Sequence, residues 1–373
     1  MTSLRLAAVL LLAAAMTTAC SSDQTAQPAP VVWTKVDLPA EPVVLAGHGD
    51  ELVIGMRARG AKVVPRILIQ QGDKRREVKV EPKSPYAFVA IWQSIAYDGQ
   101  RVLALGGAVG GAHSNTRWTV WTGTGSTLTE HPQEFNTFGG QTAGALYSAV
   151  ITPVGQALLG SWGSPTTGLD AAVWLPQGDK WVRQEPARTA LQSTPSLLVG
   201  PSFGTTSGDS VVLIGSDVRL APNVVQQEAA VWRSTKVNQG WTRVVLPEPG
   251  NRSQGFTGAC TAKLCTVSGN ADGKLAIWRL DGAQGRRLPN VPAVPVGDAN
   301  KLPPPIDDNG RVVQIVANGD KVEVLTSQGD QWTVRQSVGP VGAVTDARLV
   351  GRTLYLLARP ADGHAALWKT VLS

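Results

Sequence analysis

The sequence predicts an all-β fold: a seven-bladed β-propeller of four-stranded blades, closed by its own amino-terminal strand, 31–39. Three observations predict it. An apolar marker, most often tryptophan, recurs at Leu68, Trp121, Trp174, Trp232, Trp278, Leu325 and Trp368, so six intervals cover 300 residues with a mean period of 50. A turn residue followed by an apolar run precedes each marker, at 49–55, 99–106, 155–160, 208–215, 262–269, 309–316 and 351–357. No stretch beyond the amino terminus sustains helical periodicity. Each unit therefore reads as four short strands rich in Val, Leu, Ile, Thr and Trp, bounded by Gly, Asp, Asn and Pro. Four strands per 50 residues, repeated around an axis, is a propeller.

The chain opens with Arg5, an eleven-residue apolar run Leu6–Met16, and Thr17-Thr18-Ala19-Cys20. A positive residue, a short apolar region and a small-residue cleavage site form an export signal, here 1–19, and the run is too short to span a bilayer. Ala19-Cys20 resembles the bacterial lipobox, with Thr17 where that family usually has Leu. The resemblance implies cleavage before Cys20 and lipid on that cysteine. Residues 20–30 continue as "CSSDQTAQPAP", a linker with no large apolar side chain to bury. The folded domain is expected over 31–373.

Within the units, "QGDK" at 71–74 and 177–180 and "QGDQ" at 328–331 read as tight turns between third and fourth strands, where Gly-Asp supplies positive φ. Blades radiate, so the gaps between them widen outward and call for large fillers. Trp174, Trp232, Trp278 and Trp368 fall in third strands, and Trp181, Trp241 and Trp332 in fourth strands. Ala171-Ala172 and Ala229-Ala230 suit close approach of faces. The seventh unit ends at "AALWKTVLS" one strand short, and "VVWTKVDLP" at 31–39 supplies the missing one. The sixth unit is the weakest, because 290–310 is proline-rich and leaves little room for an innermost strand.

"VLALGGAVGGAHSNTRWTVWTG" at 102–123 resembles a kelch repeat, without that family's tyrosine. "SQGDQWTV" at 327–334 resembles the Asp-box turns of sialidases, with its acidic residue displaced. Over nearly its whole length the chain is similar to a generic secreted bacterial propeller lipoprotein.

Lys plus Arg number 34 against 28 Asp plus Glu, a mild excess of +6 that contains no basic run of the nucleic-acid-binding kind. With Cys20 assigned to lipid, Cys260 and Cys265 form an even pair in an oxidising compartment. A disulfide across one hairpin is expected there, rather than a buried thiol pair or a zinc site. His48, His113, His131 and His364 lie too far apart in sequence for a local zinc pair. "GNADGK" at 269–274 and "IDDNGR" at 306–311 read as strand-connecting turns rather than phosphate or calcium loops. No cofactor is expected.

The loops joining second and third strands share one face with the connections between blades, and those of the first four units are long. Arg57, Arg59, His113, Arg117, Trp162, Asp170 and Arg219 are the candidate binding residues on that sector. The expected function is a lipid-anchored binding or scaffolding module on the extracytoplasmic side of the cell membrane. An envelope protein or glycan is the expected partner. The alternative is a cell-wall glycan hydrolase or lyase of the sialidase-like kind. Two carboxylates beside an arginine cluster and a tyrosine in the central funnel would favour that alternative.

Overall fold

The computed structural model describes residues 28–58, 60, 64–110 and 114–372. The expected signal 1–19 and Cys20 lie outside the described residues, as do Arg59 and His113.

The first unit is an antiparallel meander of Glu41–His48, Glu51–Ala58, Val64–Gln71 and Lys74–Glu81. The same order recurs over 91–130, 143–183, 197–245, 253–287 and 306–341. Hydrogen bonding groups the strands into six sheets: four of four strands, one of five and one of eight. The eight-stranded sheet is the first two meanders, joined where Lys79–Glu81 pairs in parallel with Thr127–Thr129.

The repeated turns form as their chemistry dictates. Gly72, Gly178 and Gly329 have φ of 56°, 60° and 60°, while the aspartates after them stay at negative φ. Asn309 and Gly310 are both positive, the pairing that a type I′ hairpin needs.

Apolar surface is buried between successive meanders. Trp92 and Trp121 pack on Ile67 and Ile69, Trp174 on Leu103 and Leu105, and Trp232 on Leu159 and Val173. Trp278 packs on Ile214 and Val231, and Leu325 on Ile277. Leu354 and Leu356 lie against Val313 and Val324. Leu357 and Leu367 then lie against Leu45 and Ile54, so the last unit packs on the first and the ring is closed. Two buried indoles donate to the connection that leads into their own unit: Trp174 to the Thr137 carbonyl at 3.0 Å and Trp278 to the Pro247 carbonyl at 2.8 Å. These two tryptophans thus fill outer gaps and also fix connecting loops.

The amino-terminal segment pairs where expected, and does more. Thr34–Val36 runs antiparallel to Ala366–Val371, with Lys35 opposite Trp368, and completes the last sheet. Val31–Val32 instead runs parallel to the outer strand of the preceding unit, opposite Ser337 and Val338. Trp33 stands at the crossing. Its amide donates to the Val338 carbonyl and its indole to Ser337 Oγ, both at 3.0 Å. One short segment therefore staples two sheets.

At three of the contacts between units the innermost strands are joined side chain to backbone. Six of them carry a bulge at the same place, and the residue after it faces the next unit. Ser94 Oγ accepts from Ala149 N at 3.0 Å, and Ser148 Oγ from Gly204 N at 2.9 Å. Asp346 Oδ2 accepts from Leu45 N at 2.8 Å across the closure of the ring.

The sixth unit breaks the series. Its inner strand shrinks to Ile306–Asp308, preceded by buried Pro303, Pro304 and Pro305. Counting back from the hairpin, Pro304 and Pro305 occupy the acceptor and donor positions, and neither can serve. Both consequences are visible. Thr257 Oγ1 in the fifth unit is buried without a partner, and Asp346 Oδ1 takes Ala347 N of its own unit at 2.9 Å. Gln314, fully buried, donates to the Pro303 carbonyl at 3.2 Å.

Cys260 and Cys265 form a disulfide across opposed positions, with Cα atoms 4.0 Å apart. The loop is tighter than the expected four residues, because Thr261 N donates to Leu264 O at 2.8 Å and leaves Ala262-Lys263 as the turn.

Asp346 is enclosed, and burial pushes its carboxyl above the ordinary aspartate range against the opposing pull of Arg348. It nevertheless holds two amides that no other group reaches. Asp346→Ala orphans both, and the expected loss in chemical denaturation is on the order of 3 kcal/mol. A loss below about 0.5 kcal/mol, the level of an ordinary surface change, would show that the closure does not rest on this carboxylate.

Candidate functional site

Residues 131–142 connect the second and third meanders as a strap. Its centre is a single helical turn, Phe135–Phe138, closed by Gly139 N donating to Phe135 O at 2.8 Å. The strap is held from below by the repeated turn at 177–180. Gln133 Nε2 donates to Asp179 O at 2.8 Å, and Gln133 Oε1 accepts from Trp181 N at 2.8 Å. Phe138 is buried edge-on against Trp174, with ring centres 5.8 Å apart. Trp174 in turn meets Trp162 at 6.0 Å.

A cavity lies on each side of the strap. One, of about 460 Å³, is bounded by Glu134, Asn136, Trp162, Lys180, Trp181 and Arg183. There the Arg183 guanidinium sits 5.2 Å from the centre of the Trp162 ring. The other, of about 370 Å³, is bounded by Tyr86, Arg117, Trp118, Glu130, Phe135 and Phe138, among others. Its guanidinium, Arg117, lies 4.3 Å from the Phe135 ring centre and 5.9 Å from that of Tyr86. Two glycines make this geometry possible. A Cβ on Gly110 would meet Tyr86 Cε1 at 2.5 Å, and one on Gly139 would meet Phe135 Cε2 at 2.6 Å. Glu130 is buried and accepts from Lys83 N, Ser84 N and Ser84 Oγ, each at 2.6 Å, which fixes the turn that carries Tyr86.

Of the residues nominated from sequence, Arg117 and Trp162 thus line two cavities that share one wall. Arg57 forms a two-pronged ion pair with Glu41 at 3.0 Å, beside the ring closure, where Glu41 also accepts from Ala365 N. Asp170 is a correction: it is 2% exposed, and its Oδ1 accepts from Ser193 N at 2.7 Å. The linker 184–196 folds back over it, so it anchors a connection and presents nothing to a ligand. Arg219 is half exposed and pairs with Glu228 at 3.1 Å. Sequence reasoning passed over Tyr86, Phe135 and Phe138, which lie on connections between units rather than on the nominated loops. The signal was "EFNTFGG" at 134–140, which holds two of the five phenylalanines of the chain, one helical turn apart.

Asp217, Glu228, Arg219 and Arg243 form a cluster of two carboxylates and two arginines on the fourth unit. Asp217 is fully enclosed, with Arg243 Nη1 at 3.1 Å from Oδ2 in a geometry that makes no hydrogen bond. Burial pushes its carboxyl up to about 6, with Glu228 adding to the rise and Arg243 opposing it. No substrate reaches an enclosed carboxylate.

The central channel holds a cavity of about 280 Å³ toward the hairpins that join first and second strands, on the side opposite the nominated loops. Ser94, Tyr97, Ser148, Thr206 and Arg348 line it. Tyr97 hydroxyl donates to Glu51, which Arg76 also holds, and these contacts keep the Glu51 carboxyl below its usual range. Among the described residues no cluster of His, Cys, Asp and Glu suits a metal ion, and no helix is long and apolar enough to cross a membrane.

No family model matches the chain, and no curated protein matches its sequence. Solved structures do match its fold. The β-propeller domain of the Trilobed protease from Pyrococcus furiosus, described as having an open velcro topology, aligns with a TM-score of 0.54 at 9% identity, covering 88% of this chain and 95% of that one. A Mycobacterium tuberculosis puromycin-hydrolyzing peptidase aligns with a TM-score of 0.52 at 11% identity over 92% of this chain and 55% of its own. Pyrococcus horikoshii acylaminoacyl peptidase aligns with a TM-score of 0.53 at 12% identity over 89% and 51%. The chain spans about half the length of these two peptidases. At such identities the likeness shows the fold, a β-propeller, and nothing of activity.

A carboxyl raised by burial favours the folded state while protonated. The contribution of Asp217 is therefore fully present below its unfolded value of 3.8 and is lost as pH rises through about 6. A rise of about two units corresponds to roughly 3 kcal/mol. Asp217→Asn is expected to flatten the fall in stability between pH 4 and 6 and to raise the melting temperature at neutral pH. An unchanged pH profile would show that Asp217 titrates normally.

Proposed function

We propose that the chain is an extracytoplasmic, lipid-anchored binding or scaffolding module, and that it binds through the two cavities flanking the 131–142 strap. The observation that carries the reading is the strap itself. It presents on a rigid sheet two adjoining concavities, each with an arginine over an aromatic ring and each reached by a loop nominated from sequence. Aromatic and arginine side chains in pockets are the usual anchors of recognition.

In this reading the halves of the eight-stranded sheet are separate blades that touch at their outer strands. The ring then has seven four-stranded blades, which agrees with the interfaces between successive units. Lipid on Cys20 would tether the domain to the extracytoplasmic face of the cell membrane, with 20–30 as spacer. Val31–Val36 sits on the outer rim, paired with the outer strand of the sixth unit and itself the outer strand of the last, away from the strap between the second and third units.

Two measurements check this. Cys20→Ala is expected to move the protein from the membrane to the soluble fraction, and mass spectrometry of the native amino terminus is expected to show acyl chains. An unacylated mature terminus contradicts the anchor. A photoreactive residue at exposed Asn136, beside Trp162, is expected to capture an envelope component that the same probe at Asp209, on a first-to-second-strand hairpin, does not. Trp162→Ala in the same chain is expected to diminish that adduct. Equal capture from both faces contradicts the assigned sector.

A further inference from the structure

The cavity behind Arg117 has a charge that the protein leaves unanswered. Arg117 Nε is buried and has no hydrogen-bond partner, and among the described residues no carboxylate lies within 4 Å of its guanidinium. The two carboxylates that border the cavity are engaged elsewhere. Glu130 is held by three donors of the 83–84 turn, and Glu134 pairs with Lys180 at 3.5 Å on the far side of the strap. Phe135 and Tyr86 lie against the guanidinium, which costs Arg117 hydration without supplying an acceptor. Nε is enclosed by protein, so a ligand in the cavity meets the guanidinium at its terminal nitrogens, where among the described residues no carboxylate competes.

Alongside polar Ser84, Thr116, Thr119 and Gln133, the wall carries a block of aromatic surface. Trp118, Phe138 and Phe135 line it, and Phe135 is 58% exposed. We propose that this cavity binds a carboxylate carried on an aromatic or aliphatic body. The carboxylate takes the free edge of the Arg117 guanidinium, whose planar fork matches two carboxylate oxygens. The body covers Phe135 and Trp118. A volume of about 370 Å³ suits one such group, a small acid or the end of a chain, rather than a folded surface. The inference rests on the strap being the binding sector and adds what one of its cavities recognises.

The test is calorimetric titration of the full chain in detergent with hydrocinnamate, its neutral amide, and phenylpropylamine as the cationic counterpart. A tripeptide ending in phenylalanine separates a chain end from a free acid. The acid is expected to bind about tenfold tighter than the amide, and the amine not measurably. Arg117→Gln is expected to bring the acid down to the amide. Phe135→Ala is expected to weaken acid and amide alike. Asp209→Asn, on the first-to-second-strand hairpin of the opposite face, leaves both unchanged. If Arg117→Gln does not fold, the acid–amide ratio on the unaltered chain still decides. Equal binding of acid and amide, tighter binding of the amine, or no binding of the acid overturns the proposal. Such a result with crosslinking at Asn136 intact removes the ligand class alone, whereas loss of face-specific crosslinking removes the binding sector itself.

Discussion

A ring of sheets has no central core. Each sheet is covered only by its neighbours, so the structure depends on the contact where the last unit meets the first. That contact is carried by Asp346, whose two oxygens hold Leu45 N of the first unit and Ala347 N of its own. Around it the apolar closure places Leu357 and Leu367 against Leu45 and Ile54. Burial of the carboxyl outweighs the pull of Arg348 and of its two backbone hydrogen bonds, and what it returns to the fold is a partner for two amides that would otherwise be orphaned. The proline run at 303–305 explains why a carboxylate stands there when Ser94 and Ser148 suffice elsewhere. Pro304 offers Ala347 N no side-chain acceptor, and Asp346 serves that donor as well as Leu45 N.

The closure has a second layer at the rim. Val31–Val36 divides itself between two sheets, with Trp33 at the crossing, so the terminal segment opposes separation of the last two units as well as fraying of the last one. A ring tied at both its inner and outer radius holds its connections still. The 131–142 strap inherits that rigidity through Trp174 and Gln133, which belong to the packed third unit and to the strap respectively. The two guanidinium–aromatic pairs are set on either side of this fixed wall, so the fold itself sets the shape of both cavities.

The architecture was legible because a propeller writes the same physical requirement repeatedly. The Gly-Asp turn, the apolar run and the outer tryptophan each recur because every unit meets the same geometry. The cysteine pair was legible because opposed positions in a hairpin fix the distance between them. What was not legible depends on partners far apart in the chain. Asp170 reads as a loop acid until Ser193, 23 residues on, donates to it. Arg57 reads as a free cation until Glu41 claims it. The split of the amino-terminal strand between two sheets and the double role of Asp346 follow from which residues the ring brings together, and spacing does not encode that. Arg117 and Trp162 stand out in the sequence because their loops are long, whereas Phe135 and Phe138 meet Tyr86 and Arg117 only once the ring brings two distant connections together.

The most direct test of a ring fastened by its own ends is native-state hydrogen exchange across the fastening. The amides of the Thr34–Val36 and Leu367–Lys369 pairing, together with Leu45 N, should exchange only through the same opening that exposes Leu213 and Val267 in the core, with one common free energy and one dependence on denaturant. Exchange of the terminal pairing at clearly lower free energy, while Leu213 and Val267 stay protected, would show that the ring stands without its ends and would contradict the account.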